Sequence, residues 1–495
     1  MKRIIILILA LIFCLSCMSA CNNEPPVFED ETNEQVTKDP DRPLTDAELR
    51  AQEKDKLPEW VNTKFKGRSI TTYSFHENYV IDTEGYGEYT GDKVSDLIYE
   101  RNMAVEERLG IVIENRVSST SGFTAYGDEL SVFAHSQNSD FDIIYTMGNS
   151  AISSGAEYIY FSDVSQYEYL SLEDPWWKLD AMQNQSFDGR TLHYLVGDIT
   201  LTTYTKASAI YVNAEEYAAR YSEGLDGLYD LVIDGKWTLE VLAQKAAESY
   251  TDINGDGLDL ETDFIGFVIG NPVRVKALEY GFDVRRWSRD DDGFVIVDFD
   301  LERASTAVSA MIELLFENEG VYYDAGYVYP SKSFVNGNIL FWEGQLKSLT
   351  EGPIRNMEAD FGIIPTPKLD ELQENYMSEI QESSTFVVIP TTCKDTEFTS
   401  IVVEALCTES YRKVVLPFLE ECLKMQYVRE SRAGKNIDII LETAVKDYFG
   451  LYNPGGIGKL ISTTALMEVN RLSSNYQTLL DAANQKLLKI KAYYQ

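Results

Sequence analysis

Histidine is nearly absent from this chain of 495 residues: there are three, His76, His135 and His193, widely separated in sequence. An imidazole-built metal centre therefore has no ligand set. Cysteine is also scarce. Of six, Cys14, Cys17 and Cys21 fall at the extreme N-terminus, and Cys393, Cys407 and Cys422 form an odd remainder with no C-x-x-C spacing. That excludes a disulfide-framed scaffold and a redox pair; the three read as buried small hydrophobes, with one disulfide among them as the other reading. Positive charge is in deficit, with 43 Lys and Arg against 80 Asp and Glu and a net charge of −37. Without clustered Lys and Arg there is no footprint for nucleic acid. The chain lacks a Gly-x-Ser-x-Gly elbow, a His-Glu-x-x-His helix and a Walker loop. Asp360-Phe361-Gly362 stands without the Gly-rich and His-Arg-Asp loops a kinase needs. No pair of carboxylates is singled out for glycoside hydrolysis. The motif inventory points to no catalytic class, and the chain is read as a non-enzyme.

What is present is a globular composition, 44% hydrophobic and 12% aromatic, in a chain long enough for two lobes. The N-terminus carries an address: basic Met1-Lys2-Arg3, an apolar run over residues 4–15, then Met18-Ser19-Ala20-Cys21. This is too short for a stable spanning helix and has the layout of a secretory signal. It resembles a bacterial lipoprotein signal peptide, which implies cleavage before Cys21 and lipidation of the Cys21 thiol, with Cys17 as the second choice. Residues 22–59 are acidic, proline-containing and poor in aliphatics, and read as a flexible tether.

From residue 67 onward the hydrophobic period alternates. Residues 69–75, 111–117 and 141–145 read as strands, and 92–109 and 126–135 as helices between them. A β-α-β-α-β opening builds a parallel sheet, and ligands gather outside the carboxyl ends of such strands. That points to residues 75–78 and 147–149. Thr238 is a predicted N-cap for a helix running to residue 249, with Trp237 in the core. Residues 264–269 and 294–298 read as strands with Asp290-Asp291-Asp292-Gly293 as a turn, 301–317 as a helix, and 399–423, 426–448 and 474–494 as the closing helices.

The stretch over residues 331–390 organises the rest. It runs Phe334-x-x-Gly337 into a strand, a polar helical segment, Asp360-Phe361-Gly362-Ile363-Ile364-Pro365-x-Pro367-Lys368, and a further apolar run ending at Pro390. In this order it resembles the C-terminal half of the extracellular solute-binding proteins of family 1, the sugar-binding lipoproteins of ABC importers. The resemblance covers most of residues 68–440. It implies an α/β, two-lobed periplasmic-binding-protein-like fold of type II, each lobe a mainly parallel sheet with flanking helices, and a ligand cleft between the lobes. The corresponding division is signal peptide 1–20, acidic tether 21–60, first part of lobe 1 over 61–200, lobe 2 over 201–384, and return to lobe 1 with C-terminal helices over 385–495. The first crossover falls between Tyr194 and Tyr211. The implied role is a lipid-anchored subunit on the extracytoplasmic face of a bacterial cell membrane, delivering a carbohydrate to permease subunits. A surface lipoprotein with a hydrolytic or adhesive role, or a peptide or other polar ligand, is the alternative.

A carbohydrate cleft uses aromatic faces edged by carboxylates and amides. The candidates are Trp176 and Trp177, Tyr204 at the crossover, Trp342, Glu343 and Gln345 after the Phe334-x-x-Gly337 segment, and Tyr73 and Glu382. Adjacent Trp176 and Trp177 are expected to face opposite ways, so at most one reaches ligand. A separate motif begins at Asp252: Asp252, Asn254 and Asp256 at odd places, Gly257 at six, the Leu258 carbonyl at seven and Asp263 at twelve. That spacing suits a single structural Ca²⁺ loop, although Asp259 at eight and Asp in place of Glu at twelve depart from the paired EF-hand. An Asx-rich turn without an ion is the other reading.

Overall fold

The computed structural model describes residues 46–75, 85, 87–120, 122–155, 158–326, 330–424 and 431–494. The signal segment, Cys21, most of the tether and residues 76–78 lie outside them. The chain divides into a short unit, Met1–Leu49, and a large one, Arg50–Gln495, which carries the fold. Among the described residues no helix is long and apolar enough to cross a membrane.

Nine strands of the large unit form two main sheets: β1 (Ser69–Ser74), β2 (Val112–Val117), β3 (Ile143–Met147), β4 (Ser208–Asn213), β5 (Ile265–Ile269), β6 (Val321–Tyr323), β7 (Ile339–Gln345), β8 (Phe361–Ile364) and β9 (Thr385–Val388). The first sheet has the order β9-β3-β1-β2, with β1 parallel to β2 and β3, and β9 antiparallel to β3. The second has the order β8-β4-β7-β5-β6. There β5 is parallel to β6 and β7, whereas β4 runs against both of its neighbours. The strand-helix alternation read from the sequence is therefore present in an α/β fold of two mixed sheets, the first with one antiparallel strand and the second with β4 antiparallel to both neighbours.

Local sequence explains the elements. Helix Lys93–Leu109 starts where the Asp92 carboxylate accepts from the Val94 and Ser95 N–H groups, and stops at Gly110 in the left-handed region, φ 67°. Its buried stripe is Ile98, Val105 and Leu109. The predicted cap at Thr238 is observed, its hydroxyl accepting from the Val241 N–H at the start of helix Leu239–Ser249. That helix lies so close to the second sheet that a Cβ on Gly266 or on Gly320 would stand 2.0 Å from the Ala246 carbonyl oxygen. Trp237 is fully buried, its indole N–H donating to the Pro365 carbonyl at 2.9 Å. The expected strand over 294–298 and the turn before it are observed, as Val295–Val297 and Asp290 to Gly293; they belong to a small hairpin with Trp287–Arg289, apart from the main sheets.

The first sheet has its own core, built from Ile70, Tyr73, Tyr126, Ile144, Phe386 and neighbours. The second is covered on both faces, one layer centred on Phe267, Phe341 and Trp237 and the other on Tyr211, Trp342 and Phe334. Two chain segments cross between the lobes side by side. The first passes from Leu195, bridged to Val387, to Ala207, bridged to Ile380, and enters β4; the second passes from Ile380 into β9. Buried Arg101 braces this region, donating to the Ile199 carbonyl at 3.0 Å and to the Ser410 hydroxyl at 3.2 Å.

The C-terminal division needs correction. Helix Thr396–Ser410 packs on the first lobe as expected, but after it the chain joins the second lobe: Val414 and Phe418, then Ile437, then Phe449, Leu460 and Leu487 are buried in that lobe's two layers. Buried Arg286 fixes the return, pairing with Glu279 at 3.1 Å and Asp447 at 2.6 Å and donating to the Gly458 carbonyl. The amphipathic pattern of these helices was legible in the sequence; which lobe receives their apolar faces depends on partners far away in the chain.

Candidate functional site

The parallel strands of both lobes point their carboxyl ends at one cavity of about 720 Å³. Gly270 and Asn271 follow β5, Asp324 follows β6 and Gln345 ends β7. From the first lobe come Asn149, just beyond β3, and Phe123, which opens the helix after β2. The two crossing segments contribute Lys206 on one side and Gln381, Glu382 and Ser383 on the other. This is where ligands collect in open α/β sheets.

Trp342 and Glu343 occupy consecutive positions of β7, so their side chains leave the sheet on opposite faces. The Trp342 ring packs against Tyr211 at 5.0 Å and Phe334 at 5.9 Å and is 7% exposed, leaving a margin of indole on the cavity. Glu343 is 1% exposed, and neither carboxyl oxygen has a hydrogen-bond partner. Burial pushes its pKa up to about 8 against the opposing pull of Arg274, whose guanidinium is 3.9 Å away. The side chain is thus a neutral acid at pH 7, able to donate one hydrogen bond and accept others. Arg274 sits in the first turn of helix Pro272–Gly281, which Asn271 caps through the Val273 N–H. Asp324 is equally buried, with Oδ1 accepting from the Gly326 N–H and Oδ2 unpartnered.

Gln345 couples the crossings: its amide donates to the Lys206 carbonyl at 3.2 Å and to Gln381 Oε1 at 3.1 Å. Glu382 is gripped by Lys276 at 2.8 Å and Lys459 at 3.4 Å. Burial opposes its charge, but the two ammonium groups hold its carboxyl below the usual range. Beside it Glu379, 3.4 Å from Lys276, is raised by burial despite that partner.

Four sequence candidates, Trp342, Glu343, Gln345 and Glu382, therefore meet in one cavity. The rest do not. Tyr73 belongs to the first-lobe core, its ring 4.3 Å from Phe141. Trp176 and Trp177 do not face opposite ways as expected: both indole N–H groups donate to one carboxylate, Glu404, at 3.0 and 2.9 Å. The two residues lie in a tight turn, with the Trp177 N–H donating to the Asp174 carbonyl, so the alternation of an extended strand does not apply. Tyr204 donates to Asp198 at 2.5 Å and, with Trp177, lines a separate cavity. The residues missed were Arg274, Lys206 and Asp324. Only Arg274 had a signal, a strand ending in Gly270-Asn271-Pro272 that announces a helix start at a strand's carboxyl end.

The loop from Asp252 to Asp263 is turned by its own side chains. Asp252 accepts from the Gly255 and Gly257 N–H groups, Asn254 from Asp256, and Asp263 from Ile253 and Asp259. Among the described residues no group of three or more His, Cys, Asp or Glu is placed to hold a metal ion. Cys393, Cys407 and Cys422 are all free.

No family model matches the chain. No curated protein matches it in sequence. Solved structures do. The sugar-binding protein MalE from the phytopathogen Xanthomonas citri aligns over 86% of this chain and 99% of its own, with a TM-score of 0.55 at 12% identity. UgpB from Mycobacterium tuberculosis, in complex with glycerophosphocholine, covers 85% and 98% with a TM-score of 0.53 at 12% identity. The maltose/maltodextrin-binding domain MalE from Bdellovibrio bacteriovorus, bound to maltotriose, covers 85% and 99% with a TM-score of 0.51 at 13% identity. Over nearly the full length of these proteins, this chain has the two-lobed α/β fold of the solute-binding proteins to which the residue 331–390 segment pointed.

Proposed function

We propose that the chain is the capture subunit of an importer: anchored by lipid at Cys21 to the outer face of a bacterial cell membrane, it closes its two lobes over a carbohydrate and presents the closed form to an ABC permease. It performs no covalent chemistry. The observation that carries the reading is the Glu343 carboxyl, buried without a hydrogen-bond partner beside Trp342 where both sheets end. An unpartnered buried polar group is costly, on the order of 1–3 kcal/mol, and a ligand hydroxyl relieves that cost. Arg274 stands 3.9 Å from Glu343, and Lys206, Asn149 and Asp324 line the same cavity, giving both donors and acceptors, the complement of a polyhydroxylated solute. Hinge motion has an available axis in the paired crossing segments. That similar proteins are described as sugar-binding and as bound to maltotriose favours a carbohydrate, while the one in complex with glycerophosphocholine widens the class to other small polar solutes.

Thermal unfolding of the folded unit, from Arg50 onward, against mono- and oligosaccharides, polyols and peptides tests the reading. A ligand at about 100 times its dissociation constant adds roughly 2.7 kcal/mol. A rise in Tm with one sugar class, absent in Trp342→Ala and without turnover, is expected. A response to peptides alone removes the carbohydrate, and turnover of any panel member removes the binding-protein reading.

We also propose that the loop over residues 252–263 takes Ca²⁺ through Asp252, Asn254, Asp256, the Leu258 carbonyl and Asp263, the support being ligand spacing. Chelation by EDTA is expected to lower Tm in the wild type and not in Asp252→Ala. Equal Tm with and without chelator in the wild type leaves an Asx turn.

A further inference from the structure

A second cavity, of about 590 Å³, shares no lining residue with the cleft, yet both are built on the same two crossing segments. In the first segment Thr203 and Tyr204 line this cavity while Lys206 lines the cleft. In the second, Ile380 and Ser384 line it while Gln381, Glu382 and Ser383 between them line the cleft. The remaining walls are the first-lobe helix Leu179–Gln185 with the turn before it, and residues 441–446, whose Ala444 and Val445 pair with Ser378 and Glu379.

Its chemistry is one-sided. Four carboxylates line it, Glu173, Asp174, Asp180 and Glu442, against two ammonium groups, and both of the latter are engaged. Lys178 stands 3.5 Å from Asp198, and buried Lys446 bonds the Ser384 hydroxyl. Burial also drives the Lys446 pKa down to about 7, weakening the positive side further. Acceptors remain unused: Gln185, 3% exposed, has no partner for its side-chain oxygen, and Asp174 has none for Oδ2, its other oxygen being taken by Lys56 at 2.5 Å. Of the aromatic surface, the Tyr204 ring has Lys178 over it at 5.6 Å and the Phe386 ring has Lys446 at 4.9 Å, which leaves Trp177 for a ligand. Two unpartnered acceptors, an excess of carboxylates over ammonium groups and aromatic surface together suit a cation.

We propose that this cavity is a second ligand site, for a small primary amine with a short apolar body, whose ammonium N–H groups reach Gln185 and Asp174. Because the crossing segments wall both cavities, occupancy here changes the equilibrium between open and closed lobes and therefore cleft affinity, the reciprocal coupling of two sites on one two-state element. That link rests on the solute-capture reading; the site itself does not.

The test is calorimetric titration of the folded unit with n-butylammonium chloride and putrescine dihydrochloride, against NaCl at matched ionic strength. Saturable one-to-one binding is expected, weakened at least tenfold in Gln185→Leu and unchanged in the cleft variant Trp342→Ala. The exposed-charge variant Asp180→Asn/Glu442→Gln, expected to lose severalfold, serves if Gln185→Leu does not fold. No saturable binding in the wild type, or equal loss in Trp342→Ala, overturns the proposal. Binding without any change in radius of gyration would overturn the coupling and leave the site.

Discussion

Glu343 and Glu404 are the two buried acids that set the chemistry at the residue scale. Glu404 accepts from both adjacent indoles and from the Ser171 N–H, yet burial still lifts its pKa to about 7. Replacing it by Ala strands two indole donors. Urea denaturation of Glu404→Ala should show a loss on the order of 2–4 kcal/mol, with a smaller loss in Glu404→Gln. For both acids the folded pKa lies above the unfolded one, so the folded state binds more protons in the interval between them. Their contribution is complete below the ordinary carboxylate range and is lost as pH rises through about 7 and about 8. Glu382 has the opposite sign: its lowered pKa contributes stability above the unfolded value that is lost as pH falls. The urea midpoint of the wild type should therefore drop between pH 5.5 and pH 8. In Glu343→Gln, which cannot titrate, that drop should be visibly smaller; an unchanged drop would mean Glu343 is ionised throughout. Trp342, Glu343 and Gln345 were legible through the family resemblance, which implies ligand contacts just after the Phe334-x-x-Gly337 segment; in the fold they sit in the carboxyl half of β7. The pairing of Trp176 and Trp177 was not, because the carboxylate that gathers them is 228 residues away in sequence.

Among the elements, close packing at Gly266 and Gly320 makes a sharp prediction. Both approach the Ala246 carbonyl, and a Cβ at either would overlap that backbone oxygen. Gly266→Ala and Gly320→Ala should each destabilise by about 1–3 kcal/mol in urea unfolding, the range for overpacking. A neutral result at both would mean that helix Leu239–Ser249 shifts freely on the sheet. The helices of the first lobe were legible because period, cap and stop agree within each segment, as at Asp92 and Gly110. The last helices were equally amphipathic, but Ile437, Leu460 and Leu487 carry no mark of which lobe they cover. Arg286, Glu279 and Asp447 decide it through a buried ion-pair cluster that spans β-hairpin, helix and C-terminal segment.

For the whole molecule, two sheets joined by paired crossings place the cavity where a change in lobe angle alters its width. The signal segment and tether suggest attachment through Cys21, and mass spectrometry of the membrane fraction should find a diacylglycerol adduct there that Cys21→Ser abolishes. The central claim is capture by closure. Its most direct test is small-angle scattering from the folded unit with and without the sugar that raises Tm, in wild type and Trp342→Ala. The account predicts a smaller radius of gyration with ligand in the wild type and no change in the variant. Identical wild-type profiles at saturating ligand would contradict it.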